Sequence, residues 1–429
     1  MDLRRKVIDK GVVRNIFHRL LPNRIHTIAD AANWNVKHHS NAHSSPQSTS
    51  LPSDSPLQPA GMIKAKEQIA NLPAYKPTPI ISATDLATAI GVKELWIKDE
   101  TNRFGVGSFK PLGGTIAALH LLRNAEAKGF SASDLVLSTA SAGNHGIGLA
   151  WASRQAGCAC RIYISTGVKE SMAKRMRSLG ATVHRVDGDY EDSVAACREE
   201  SAANGWHLVQ DVSWEGYEEI PQRIYEGYTV LSAEVVEQLA DAGAETPTHV
   251  FVNTGVGGLA CGVCAHFWSS YGAARPRFVV VEPKAAACCM HSAKVGQWES
   301  LPPSPELTVQ TGLDCRVPAP LAWKILHPGA TDFVSIGDEC VRPTIQILAD
   351  SARPIVAGES AVARCGHDDI SHCELFVRNT SHLPPQNQRY CPPLRMSCIT
   401  PESKYVNQVI TLTQSSHESS APWIAAWAW

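Results

Sequence analysis

Long apolar runs are missing from this sequence of 429 residues. Nowhere do about eighteen apolar residues follow one another, so no segment reads as a membrane span. A charge excess is missing too: 39 lysines and arginines stand against 41 aspartates and glutamates, a formal charge of −2. That balance excludes a strongly basic nucleic-acid binder, or a polyacidic tail, as the chain's main business. No apolar signal-peptide core follows the charged start at residues 1–10. A mitochondrial presequence is the minor alternative, since Arg4, Arg5, Lys6, Arg14 and Arg19 are interspersed with apolar residues. Asp2, Asp9 and Asp30 count against it, and the cytoplasm is the expected compartment. The thirteen cysteines lack a framework. Cys158-Ala-Cys160, Cys261-Gly-Val-Cys264 and Cys288-Cys289 are close pairs, but they do not form the paired, well-spaced clusters of a structural zinc site. They read as small apolar core side chains, and no metal is expected.

What is present is the pattern of a globular protein. A domain runs to roughly 150 residues, so the length allows about two or three, and 44% hydrophobic residues supply a large core. Residues 31–60, with His38, His39, His43 and a Ser/Pro-rich run, read as a flexible link or surface insertion whose histidines face solvent. From Ala65 the pattern becomes regular. Strands are predicted at 95–98, 135–138, 160–164 and 181–186, with helices opening near Ser108 and covering 143–156 and 169–179. Further on, core packing accounts for the helical stripe Tyr228, Leu231, Val235 and Leu239. Strands at 248–253 and 277–283 then flank a glycine loop and a helix as a βαβ unit. This alternation with short connections predicts α/β architecture with parallel sheets.

Three segments carry chemistry. In Gly255-Val256-Gly257-Gly258-Leu259 the glycine backbone can adopt conformations that side chains forbid, so several amide N–H groups can converge on an anion. The helix N-terminus that follows favours phosphate. Its spacing is not the dinucleotide fingerprint, and a tight turn would look the same. In the run from Gly105 to Gly114, Lys110 sits amid glycines and apolar residues near a helix start. Most lysines face solvent, but one desolvated beside a cofactor can form a Schiff base with an aldehyde. Ser138-Thr-Ala-Ser141-Ala142-Gly143-Asn144-His145-Gly146 is a polar turn between strand and helix. It can set an amide and backbone donors around a flat polar ring, or it can be an ordinary βα loop.

In this order the three segments resemble those of the tryptophan-synthase-like (fold type II) pyridoxal-phosphate enzymes, and within them the diaminopropionate ammonia-lyases. Lys98-Asp99-Glu100 with Arg103-Phe104-Gly105, Gln210-Asp211 with Trp214-Glu215-Gly216-Tyr217, Ile220-Pro221, Val281-Glu282-Pro283 and Val356-Ala-Gly358-Glu359-Ser360 extend the likeness over residues 65–363. The resemblance implies a two-domain, three-layer α/β/α parallel-sheet fold. A large cofactor-binding domain would comprise 65–125 and 230–363, and a small α/β domain 126–229, behind a polar extension and linker at 1–64. The resemblance also implies pyridoxal 5'-phosphate as cofactor, Lys110 as its Schiff-base lysine, and Asn144 on its 3-oxygen. Gly255, Val256, Gly257, Gly258 and Leu259 would cradle the phosphate, and Asp211 would be the base for the L-substrate. The implied reaction is α,β-elimination from a small amino acid, with L-2,3-diaminopropionate giving pyruvate and ammonia. The implied assembly is a homodimer with neither nucleic-acid nor membrane partners.

Two departures qualify the likeness. The ammonia-lyases carry Asp-Gly-Asn-His-Gly where this chain has Ala142-Gly143-Asn144-His145-Gly146. The missing aspartate is the one associated with the D-substrate; alanine accepts no proton, so D-isomer turnover is expected to be reduced or absent. The same turn occurs in threonine and serine dehydratases, which makes L-serine or L-threonine dehydration, or β-replacement, the alternative chemistry. The second departure is the tail, 364–429, where the likeness stops. It has no helical period, its Cys365, His367, His372, Cys373, Cys391 and Cys398 fit no strong zinc template, and it ends in Trp423, Trp427 and Trp429. It reads as a divergent, partly disordered extension or an altered reading frame, with one short edge strand at residues 409–412. A non-catalytic protein keeping the fold is the alternative outside catalysis, against which stands the retention of Lys110, Asn144, Asp211 and the glycine loop.

Overall fold

The computed structural model describes residues 35–90, 92–357 and 408–413. In chain order the first elements are β1 (Val36–Ser40), α1 (Pro59–Ala70), β2 (Ile80–Ser82), α2 (Thr84–Ile90), β3 (Glu94–Asp99) and α3 (Lys110–Glu126). A run of alternating elements follows: β4 (Val136–Ala140), α4 (Asn144–Ala156), β5 (Ala159–Ser165), α5 (Glu170–Ser178), β6 (Thr182–Val186), α6 (Tyr190–Asn204) and β7 (His207–Leu208). The rest are α7 (Glu219–Asp241), β8 (His249–Asn253), α8 (Gly258–Tyr271), β9 (Arg277–Pro283), α9 (Cys288–Val295), α10 (Pro320–Gly329), β10 (Asp332–Ile336), α11 (Val341–Ala349) and β11 (Gln408–Thr413). The presequence-like start, the tail's cysteines and histidines and the terminal tryptophans lie outside the described residues.

The smaller sheet has the order β6-β5-β4-β7, every pair parallel. Its central strands are apolar because helices cover the sheet: Leu137, Ile162 and Ile164 are buried. Helix α6 starts at a capping box in which the Asp189 carboxylate accepts the Glu191 and Asp192 amides.

The larger sheet has the order β1-β10-β9-β8-β11-β3-β2. Strands β8, β9 and β10 run parallel, and each is buried on both faces. Period-two alternation divides the apolar side chains between two cores: Val250, Val252, Phe278 and Val280 join the helices on one face. Phe251, Val279, Val281 and Val334 pack with Val341 and Leu348 of α11 on the other. The result is the expected three-layer α/β/α architecture, with a mixed rather than all-parallel large sheet, because β1, β2 and β11 run antiparallel to their neighbours.

Two expectations are corrected. The segment read as a flexible link contains β1, paired with β10. Asn41 donates its amide to the His327 and Ala330 carbonyls at 2.7 Å, and His38 meets Asp332 at 2.9 Å. Long-range backbone pairing, invisible in local composition, decides its fate. The strand expected at the edge near residues 409–412 lies inside the sheet, antiparallel to both β8 and β3. It fills the place between two strands whose facing backbone groups require a partner.

The motif around Lys98, Glu100 and Arg103 also finds its reason here. Arg103 pairs with Glu100 and with Glu234 of α7 at 2.7 Å, and Lys98 reaches Glu234 at 2.6 Å, all four side chains without solvent exposure. Each buried charge is matched, so the network fastens β3 and the loop after it to α7.

Candidate active site

Lys110 is the first residue of α3. Glycines let neighbouring helices press on that point: a Cβ at Gly148 of α4 would lie 2.9 Å from the Lys110 carbonyl carbon, and one at Gly113 would lie 2.6 Å from Ile224 and Tyr228 of α7. The loop ahead of the lysine is held from the smaller sheet's side. Phe104, with φ of 50°, stacks on Trp151 at 4.1 Å, and Arg175 donates to the Val106 carbonyl at 2.6 Å.

The lysine's Nζ donates to Asp211 Oδ2 at 2.5 Å. Asp211 follows β7, and its neighbour Gln210 is fixed by hydrogen bonds from Thr139 Oγ1 and to the Ala140 carbonyl. His145, at the start of α4, is buried with Nε2 at 2.8 Å from the Val209 carbonyl. A carbonyl only accepts, so Nε2 carries the hydrogen and Nδ1 presents its lone pair. That Nδ1 has no hydrogen-bond partner and lies 3.7 Å from Asp211 Oδ2. Burial holds the imidazole below its ordinary pKa, against the opposing pull of Asp211. Burial would raise the Asp211 carboxyl, but His145 and the Lys110 ammonium outweigh it and hold the carboxyl well below the usual range. With His145 neutral, the charge responsible is that of Lys110.

The glycine loop after β8 lines the same cavity as Lys110. Gly257 has φ of 104°, in the left-handed region, and a Cβ on Gly258 would lie 2.6 Å from the Tyr225 ring. Only glycine fits at these positions, and the backbone is thereby left bare at the N-terminus of α8, where the first amides have no intrahelical acceptor. Lys110, Asp211, Asn144 and Gly255 through Leu259 all line one cavity of about 580 Å³ at the carboxyl ends of both sheets.

The same cavity contains residues that the sequence did not flag. Tyr228, read as core packing alone, lines it, and its ring centroid lies 5.5 Å from Lys110 Nζ. Tyr190 and the segment Thr311–Leu313 with Asp314 and Cys315 complete the lining. A tyrosine at a helix start after a Gly-Asp turn was a faint cue for Tyr190; nothing local marks Asp314. Nearby, Glu282, Cys288 and Cys289 bring three possible metal donors together. Both Glu282 oxygens already accept amides, from Cys289 at 2.7 Å and Met290 at 2.8 Å, at the start of α9, where the helix dipole disfavours a cation. The carboxylate serves there as a cap, with burial pushing its pKa up to about 8.

A lysine and a glycine loop line this one cavity, and residues 72–376 fit the family described as pyridoxal-phosphate dependent enzyme. The chain belongs to that family. It is 34% identical over 327 residues to the diaminopropionate ammonia-lyase of Escherichia coli (strain K12), covering 73% of this chain and 82% of the relative. It is 33% identical over 316 residues to that of Salmonella typhimurium (strain LT2), covering 69% and 78%. The fold superposes with a TM-score of 0.68 on the crystal structure of the Escherichia coli ammonia-lyase in complex with an aminoacrylate-PLP azomethine reaction intermediate. Identity there is 32%, over 77% of this chain and 84% of that one. The processed form of threonine deaminase isoform 2 from Solanum lycopersicum shares the fold, with a TM-score of 0.61 at 22% identity, over 76% and 84%. The chain is thus a carbon–nitrogen lyase by kinship, and its cofactor is pyridoxal phosphate. Its own residues fit that group: an amine, a bare glycine turn and the buried Asn144 Oδ1 without a partner line the one cavity. Among the described residues no helix is long and apolar enough to cross a membrane.

Proposed function

We propose that the protein eliminates ammonia from L-2,3-diaminopropionate, the product going on to pyruvate and a second ammonia. The observation that carries this reading is the 2.5 Å contact between Lys110 Nζ and Asp211 Oδ2, an amine and a carboxylate touching inside a cavity backed by a bare glycine loop. When bound, pyridoxal phosphate supplies an aldehyde for amines and a ring that withdraws electrons. Lys110 would anchor it, the amides of Gly255, Val256, Gly257, Gly258 and Leu259 would hold its phosphate, and Asn144 would hydrogen-bond its ring oxygen. Asp211 takes the α-proton of the L-substrate. Ala142 lines the cavity at the place where a base for the D-isomer is absent, which supports preference for the L-isomer. The same Ala142 turn favours a second reading, dehydration of L-serine or L-threonine.

Residues 126–229 form the small domain in this reading, around the smaller sheet, and the large one joins 65–125 and the residues from 230 onward with β1 and β11, which belong to the larger sheet. Cytoplasmic residence and assembly as a homodimer complete it. The free state of all nine described cysteines supports a reducing compartment.

The test is pyruvate and ammonia release from each isomer. The L-isomer is expected to be turned over and the D-isomer far more slowly. Lys110→Ala should abolish both the visible cofactor absorbance and activity. Asp211→Asn should keep that absorbance while lowering turnover by on the order of 10³-fold. Equal turnover of the two isomers, or no pyruvate from folded, cofactor-loaded protein, would sink the reading.

A further inference from the structure

Two tyrosines of α7 set three residues apart, Tyr225 and Tyr228, are both buried. Tyr228 lies beside Lys110, and Tyr225 touches the other two parts of the site. Its hydroxyl donates to the Asp211 carbonyl at 3.2 Å. Its ring keeps any side chain off Gly258, where a Cβ would lie 2.6 Å away. Gly262, further along α8, brings the two helices close: a Cβ there would lie 2.9 Å from the Tyr225 carbonyl oxygen. Burial holds the Tyr225 phenol well above its ordinary pKa, so its hydroxyl is a neutral donor.

That hydroxyl matters because of what else holds Asp211. Among the described residues, two others hydrogen-bond to it, Lys110 at the carboxylate and Tyr225 at the carbonyl. A lysine joined to the cofactor no longer grips the carboxylate as an ammonium, and the bond from Tyr225 is the one that remains. Asp211 also lies beyond the end of β7, whose pairing with β4 covers His207 and Leu208, so no sheet ladder restrains its backbone.

We propose that Tyr225 is a positioning residue for the reaction: its hydroxyl fixes the backbone of Asp211 relative to the glycine loop that its ring borders. The inference rests on the reading of Asp211 as the base and deepens it. A base hung from an unrestrained loop samples positions away from the α-proton, and a misplacement of about 1 Å costs on the order of 100-fold in rate. The bond from α7 ties Asp211 to the same side chain that packs against Gly258, so base and cradle keep one spacing. Tyr225 touches no reacting atom and acts through Asp211 alone.

The test is a double-mutant cycle on the full-length protein. Tyr225→Phe removes the hydroxyl and keeps the ring, and the bond from the Leu321 amide to Ser213 Oγ at 3.0 Å still anchors the loop two residues on. With L-2,3-diaminopropionate this variant is expected to lose on the order of 10-fold in kcat, with KM within about twofold of wild type. Its affinity for pyridoxal phosphate, read by absorbance titration, should also stay within about twofold, which shows that the variant is folded. In the Asp211→Asn background, where the carboxylate is already gone, adding Tyr225→Phe should lower the residual rate no further. A readout that needs no substrate accompanies these: in cofactor-loaded Tyr225→Phe, the amides of residues 211–213 should exchange faster than in the wild type. Equal losses in the two backgrounds, an undiminished kcat, a cofactor affinity that falls with the rate, or unchanged exchange at 211–213 overturns the assignment. Failure of the parent reading would appear elsewhere, as a wild-type protein inert toward the diamino acid or an Asp211→Asn variant of full activity, and the exchange readout then judges the positioning of Asp211 by itself.

Discussion

The two sheets draw on the chain in opposite ways. The smaller takes its four strands from 136–208 without interruption, each strand following the one before it in the chain through a single helix. The larger gathers its seven strands from places as far apart as Val36–Ser40 and Gln408–Thr413. The active site needs both. Asp211, Asn144 and His145 hang from the carboxyl ends of the smaller sheet's strands, and the glycine loop hangs from the larger. Lys110 sits on the helix between them, its loop fastened to both sides. A locally coded half thus carries Asp211, and a half assembled over long distances carries the glycine loop, the base and the anion cradle of the proposed function. Stability of one does not secure the chemistry unless the other is closed.

The largest effect on that contrast is expected from β11. A chain cut before residue 400 leaves β8 and β3 with facing, unpaired backbone groups in mid-sheet. Slow hydrogen exchange should vanish from β3, β8 and β9, together with cofactor absorbance, while amides of 136–208 remain protected. Protection lost from both sheets alike, or from neither, would break the comparison. A smaller effect, also confined to the larger sheet, should come from Glu282 on β9. Its carboxyl titrates near 8 in the folded protein against an ordinary 4.5, so the native state keeps a proton that the unfolded chain gives up. Stability should therefore fall as pH rises from about 4.5 to about 8 and level off above, with an amplitude of a few kcal/mol at most. Urea unfolding across that range should show the decline in the wild type and lose it in Glu282→Gln; a decline unchanged in the variant assigns the proton elsewhere. The smallest effect sharpens the contrast from the other side. Asp189→Ala removes the cap of α6 and should cost about 1 kcal/mol. Faster exchange should be limited to α6 and its sheet, and equal acceleration in β8 would argue for tighter coupling between the halves.

The same contrast explains what could be read in the sequence. Strands such as β4, β5 and β9 and the helices beside them announce themselves by local apolar period, and they occur within a residue or two of their expected places. Lys110, Asn144 and the glycine loop were legible because each motif is local and its chemistry demands unusual backbone. Strand β1 was not, and β11 was legible as a short strand but not as a central one, since each owes its place to partners far away in the chain, β1 to β10 and β11 to β8 and β3. Tyr228 illustrates a different blindness. Helical spacing placed it on the buried face correctly, but could not tell that the face ends at a cavity. Asp314 and Cys315 lie in an irregular stretch, and only the closing of α10 beneath the glycine loop brings them to the site, as in the bond from the Ala319 amide to the Val256 carbonyl at 2.8 Å.

The position of β11 has a consequence during synthesis. Residues 408–413 leave the ribosome after every other described strand, and they belong between two made long before. The smaller sheet can form while translation continues, but the larger must wait with β8 and β3 open to any passing strand. A nascent chain of this protein therefore carries its smaller sheet folded and its larger sheet open, and this interval is when it most needs a chaperone.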